Sequence, residues 1–61
     1  MIKKCYLLDS TEKVLREVAA LVAAIPCFIN TRAITEDMFE LYISCRAEDI
    51  CFVERVLAPF V

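Results

Sequence analysis

Sixty-one residues make a single domain near the lower size limit for folding without a disulfide, a metal or a partner chain. Of these residues 61% are hydrophobic and 26% charged, with a formal net charge of −2. That is more apolar surface than a small monomer can bury, which predicts a homo-oligomer, a dimer in the first place, or a standing protein partner. The acidic balance, with no basic run longer than Lys3-Lys4, excludes nucleic-acid binding by phosphate neutralisation.

His and Gly are both absent. Without imidazole there is no ordinary general base near neutral pH, no Ser-His or Cys-His nucleophile and no histidine zinc site. Without glycine there is no phosphate-cradling loop of the P-loop or dinucleotide type. The chain is therefore expected not to be an enzyme, and no catalytic residue, cofactor or metal is assigned. The longest apolar run, Val18 to Ile25, is far below the ~20 residues that span a bilayer, so no membrane segment is expected. No signal-peptide layout is present and Met1 leads straight into a strand, which predicts a cytoplasmic protein.

Residues 2 to 8 read as a first strand, with Cys5 and Leu7 assigned to its core face. Asp9 or Ser10 is expected to cap the following helix, with Glu12 completing a capping box. From Thr11 to Ile25 the residues Val14, Val18, Leu21, Val22 and Ile25 form one helical stripe, with Leu15 beside it, and Pro26 stops the helix.

Residues 27 to 34 and 38 to 46 alternate as two strands. Their odd positions, Cys27, Ile29, Thr31, Ala33, Phe39, Leu41, Ile43 and Cys45, form the core face. A loop of Thr35, Glu36 and Asp37 sets Ile34 opposite Met38, and so Arg32 opposite Glu40, Asn30 opposite Tyr42, Ile29 opposite Ile43 and Cys27 opposite Cys45. Asp37 is expected to take a left-handed conformation in the absence of Gly. The acids Glu36, Asp37 and Glu40 read as solvated rather than as a cation site. Glu48 and Asp49 open a second helix with a core stripe of Ile50, Val53, Leu57 and Phe60, ended by Pro59.

The order βαββα predicts an α+β, truncated ferredoxin-like fold: a three-stranded antiparallel sheet with strand three in the middle and two helices on one face. The edge of strand one is left open for a second chain to pair with.

One resemblance rests on these residues: a helix ending at Ile25-Pro26, a strand ending Arg32-Ala33-Ile34-Thr35, the acidic turn at Asp37, the strand Phe39-Glu40-Leu41-Tyr42-Ile43, the acidic helix start Glu48-Asp49 and the tail Val56 to Val61. Over about two thirds of its length the chain resembles the ligand-binding RAM domain of Lrp/AsnC-type regulators and, more loosely, ACT domains. The family usually has Gly in the turn where this chain has Glu36-Asp37-Met38. The resemblance implies a stand-alone regulatory module, dimers formed through the sheet, and amino-acid binding at the subunit boundary.

The topology places Cys5, Cys27 and Cys45 together at one end of the core face, with Cys51 nearby in the second helix. Four thiolates could hold zinc or pair as disulfides. Their spacings of 22, 18 and 6 residues contain no CxxC, and buried free thiols are the expected state. The even face combines aromatics and Met with a polar rim, the composition of an interface. Its candidate residues are Tyr6, Leu8, Phe28, Arg32, Ile34, Met38, Glu40 and Tyr42.

Two functional readings follow. One is a non-enzymatic regulatory or assembly module that dimerises through its sheet and binds a small metabolite such as an amino acid. The other is a small interaction factor, an inhibitor or adaptor of the phage type, that docks its sheet face or edge strand on a host protein.

Overall fold

The computed structural model describes all 61 residues, Met1–Val61. It contains β1 (Ile2–Asp9), α1 (Glu12–Ala24), β2 (Cys27–Ala33), β3 (Met38–Cys45) and α2 (Ile50–Leu57), with 3-10 turns over Ala47–Asp49 and Ala58–Phe60 on either side of α2. The sheet order is β1-β3-β2, with β3 antiparallel to both neighbours. This is the small α+β, ferredoxin-like arrangement expected from the element order.

Alternation along β3 builds the core. Phe39, Leu41, Ile43 and Cys45 are buried on one side and pack with Val14, Val18 and Leu21 of α1 and Val53 and Leu57 of α2. Both helices therefore lie on the same face of the sheet. Lys13 of α1 stands 5.9 Å from the ring centre of Phe60, so the start of α1 lies beside the turn that follows α2 and the helices run antiparallel. Lys4 of β1 reaches Glu54 of α2 at 3.5 Å, which places α2 on the β1 side. Neither helix is long and apolar enough to cross a membrane.

The β2–β3 register is the one expected from a three-residue loop, with Arg32 opposite Glu40 and Cys27 opposite Cys45. The turn itself differs. No residue has a positive φ, Asp37 included. The turn closes instead through two backbone donors, Ile34 N and Thr35 N, that share the Met38 carbonyl at 3.0 and 3.2 Å, and through Asp37 N–H donating to Thr35 Oγ1 at 3.2 Å.

The cap of α1 also lies further on than expected. Thr11 is the N-cap, its hydroxyl oxygen accepting from Val14 N–H at 3.2 Å. Asp9 and Ser10 cannot cap because they continue β1: Ser10 N–H donates to the Asp37 carbonyl at 2.7 Å. At the far end Ile25 is already extended, as a residue before proline tends to be. The second helix begins as a 3-10 turn, held by Arg46, whose Nε lies 2.9 Å from Asp49 Oδ2 and whose guanidinium also reaches Glu48 at 3.2 Å. Its α-helical part ends at Leu57, so Pro59 falls inside the closing 3-10 turn rather than ending the helix.

Strand β1 faces the opposite way from that expected. Its pairing sets Tyr6 opposite Leu41 and Leu8 opposite Phe39, so the even residues of β1 share the face of the odd residues of β3. Leu8 is 0% exposed in the core, whereas Leu7 is 51% exposed on the other face. Cys5 goes with Leu7. The odd positions of β1 begin and end in charge, at Lys3 and Asp9, and burying them would leave two ions in an apolar core. The even positions offer Ile2, Tyr6 and Leu8, with the single charge of Lys4 reaching the rim at Glu54.

This register is directly testable. Leu8→Ala should destabilise the fold by about 2–5 kcal/mol, as for a fully buried leucine. Leu7→Ala should cost no more than about 0.5 kcal/mol at low protein concentration. Urea unfolding of the two variants decides it, and the opposite ordering would place β1 in the other register.

Candidate functional site

The face of the sheet turned away from the helices is covered by no other element. It is built in rows by the two registers: Lys3, Ser44 and Phe28; Cys5, Tyr42 and Asn30; Leu7, Glu40 and Arg32; Asp9, Met38 and Ile34. Phe28 is 72% exposed here, and Leu7, Ile34 and Tyr42 are all more than two fifths exposed. The total accessible surface, 4211 Å², is close to the roughly 4,000 Å² that size scaling gives for a chain of 7.0 kDa. The protein is thus not unusually open, and its exposed large hydrophobics include Phe28, Leu7, Ile34 and Tyr42 on this one face.

Of the eight candidate interface residues, the structure gathers Phe28, Arg32, Ile34, Met38, Glu40 and Tyr42 on this face. Tyr6 and Leu8 are not among them. Both lie under the helices, Leu8 in the core and Tyr6 half-buried against it. Their places are taken by Cys5 and Leu7. The signal for this was present in the sequence, in the charges Lys3 and Asp9 that share the parity of Cys5 and Leu7.

At the middle of the face sits one polar group, the Glu40 carboxylate. Arg32 Nε approaches Oε1 at 3.0 Å in an ion pair, without the alignment of a hydrogen bond. Cys5 Sγ donates toward Oε2 at 3.8 Å. Hydrogen bonding to Glu40 is also the main cause that raises the Tyr42 hydroxyl above its ordinary pKa, with partial desolvation adding to it. The three-quarters-covered carboxylate thus has one cation and the Cys5 thiol beside it, contacts that fix its orientation.

The cysteines separate. Cys45 is buried, Cys27 is half-buried directly opposite it, and Cys5 and Cys51 are exposed. Because Cys5 lies on the other face of the sheet, the expected three-cysteine convergence is not formed, and no group of three or more Cys, Asp or Glu side chains is arranged to hold a metal ion. Burial is the first cause that raises the Cys27 thiol, with the neighbouring Cys45 and Asp49 adding to it. Burial likewise raises the Tyr6 hydroxyl, ahead of Glu54 and Cys45. The chain's one concavity runs along α1 between Glu12, Lys13, Arg16 and Glu17, where Arg16 and Glu12 already pair.

Two outcomes are expected. At low protein concentration a thiol reagent should label Cys5 and Cys51 first, Cys27 more slowly, and Cys45 only on unfolding; early labelling of Cys45 would contradict the packing. Stability should also fall at alkaline pH. Below the usual thiol value of 9.0 the folded and unfolded states hold the same protons at Cys27. Above it the unfolded thiol ionises first, and the stabilisation is lost as pH rises toward the folded value. Tyr6 adds the same trend beyond 10.0. The urea midpoint should therefore hold up to about 9 and then decline, and Cys27→Ala should remove the first part of the decline.

Comparison of the chain with protein-family models, with curated proteins and with solved structures finds no significant match in any of the three.

Proposed function

We propose that the chain is a small non-enzymatic regulatory or assembly module that associates with a second copy of itself through the open face of its sheet. The observation that carries this reading is the coexistence of Phe28, Leu7, Ile34 and Tyr42 on one uncovered face, around a single oriented ion pair. Two such faces stacked at the usual ~10 Å separation would cover the apolar side chains Phe28, Leu7, Ile34 and Tyr42 around the Arg32–Glu40 pair. Lys3 and Asp9, at the two ends of β1, would remain at the rim. The Arg32–Glu40 pair would then help to choose one stacking orientation, since leaving either charge buried without its partner is costly.

Amino-acid binding, as the resemblance to RAM and ACT domains implies, belongs in this reading to the assembled boundary between copies. The alternative occupant of the face is a different protein, in which case the module is an inhibitor or adaptor.

Light scattering with and without reductant tests the reading. The wild type should associate independently of reductant. Phe28→Glu combined with Tyr42→Glu should halve the mass while leaving the circular dichroism unchanged, because both side chains are exposed in the fold. A mass left unchanged by the double substitution sinks the assignment. A wild type that is monomeric at all concentrations hands the face to a different protein. If amino acids bind between copies, they should raise the melting temperature of the wild type and not that of the double variant.

A further inference from the structure

The outer edge of β1 is a second surface, distinct from the open face. Ser10 N–H bonds to the Asp37 carbonyl, and pairing then alternates along an antiparallel ladder. The even residues of β1 therefore spend their backbone groups on β3. The N–H and C=O groups of Lys3, Cys5, Leu7 and Asp9 point outward, with no strand beside them. Such an edge is a template for strand addition unless something blunts it.

The other edge is blunted. On β2 the same alternation, set by Ile34 N–H bonding to Met38, turns Cys27, Ile29, Thr31 and Ala33 outward. There the outward N–H of Thr31 is already taken by the Asn30 side-chain oxygen at 3.0 Å. None of these four outward positions carries a charge. On β1 both end positions do, and neither Lys3 nor Asp9 pairs with any group in its own chain.

We infer that β1 pairs antiparallel with β1 of a second copy, in the register that sets Lys3 opposite Asp9. The outward parity allows only registers that match odd positions with odd positions. Among these, centring the two-fold axis on Tyr6 sets Lys3 against Asp9 twice, once on each side of the axis, and Cys5 against Leu7 twice. Shifting the axis to Cys5 would instead face Lys3 with Leu7 and Asp9 with Met1, satisfying no charge. Charge complementarity thus selects both the occupant, a second copy, and the alignment. The product is a continuous six-stranded sheet in the order β2-β3-β1-β1-β3-β2, with the two open faces side by side.

Edge pairing does not require stacking of the open faces. Edge pairing has its two-fold axis normal to the sheet, whereas face stacking has its axis within the plane. With the in-plane axis running across the strands, so that it meets the edge axis, the two contacts close on a tetramer of four 7.0 kDa chains.

Charge swaps test the register. Lys3→Asp alone places acid against acid at both ends, and Asp9→Lys alone places base against base. Each should weaken the edge contact roughly tenfold or more, halving the wild-type mass in sedimentation. Both positions are exposed, so the fold should be unaffected. Mixing the two variants should restore the larger species, since acid then meets base at both ends, and so should the double swap in one chain. Charge variants that keep the wild-type mass, or a mixture that fails to recover it, overturn the edge pairing. A mass lowered by Phe28→Glu with Tyr42→Glu but unmoved by the charge swaps leaves face stacking alone standing. The reverse pattern leaves the edge alone.

Discussion

The pleat of β3 is the constraint on which the rest of the molecule depends. Its odd side chains enter the core and its odd backbone groups bond β1. Its even side chains form the open face and its even backbone groups bond β2. Leu41 and Ile43, at 0% and 1% exposure, are the centre of the packing. Both helices reach the core through this row, and the flanking strands take their facing from it. A one-residue slip of β3 would exchange Leu41 for Glu40 in the core, so the register is set by the cost of burying a carboxylate.

From that arrangement follows the uneven distribution of apolar surface. Sixty-one residues supply one layer of helices for one layer of sheet, and a two-layer domain of this kind has only one sheet face to cover. The remaining apolar residues of the strands must then lie outside. What distinguishes the open face from ordinary scatter is its organisation. Phe28, Leu7, Ile34 and Tyr42 surround a carboxylate held by a cation and a thiol donor, so the face has a fixed polar centre as well as apolar area.

The charges of β1 show how adjacent residues of one sign can serve different ends. Lys4 points to the helix side and meets Glu54, a partly exposed pair worth no more than about 1 kcal/mol. Lys3 points to the open side and has no partner in the chain. Asp9, at the other end of the same face, is likewise unpaired. The distance between them along one strand forbids an intrachain pair, and antiparallel symmetry is the geometry that brings such ends together.

The sequence by itself determined the element order, the hairpin register from Ile34–Met38 through Cys27–Cys45, and the stripes Val14-Val18-Leu21 and Val53-Leu57. In each case the signal is a local period that extends over several turns or residue pairs. The tertiary structure decided the facing of β1, and with it the exchange of Tyr6 and Leu8 for Cys5 and Leu7 on the open face. Two adjacent leucines satisfy either parity in a short strand, and only pairing with β3 and the charges at Lys3 and Asp9 break the tie. The helix cap moved to Thr11 for a related reason: β1 runs on through Asp9 once Ser10 can reach the Asp37 carbonyl, a contact between residues far apart in sequence. The dispersal of the cysteines follows from the same parity, because a thiol's neighbours depend on which side of a sheet its strand presents, and that is settled only when the strand is paired.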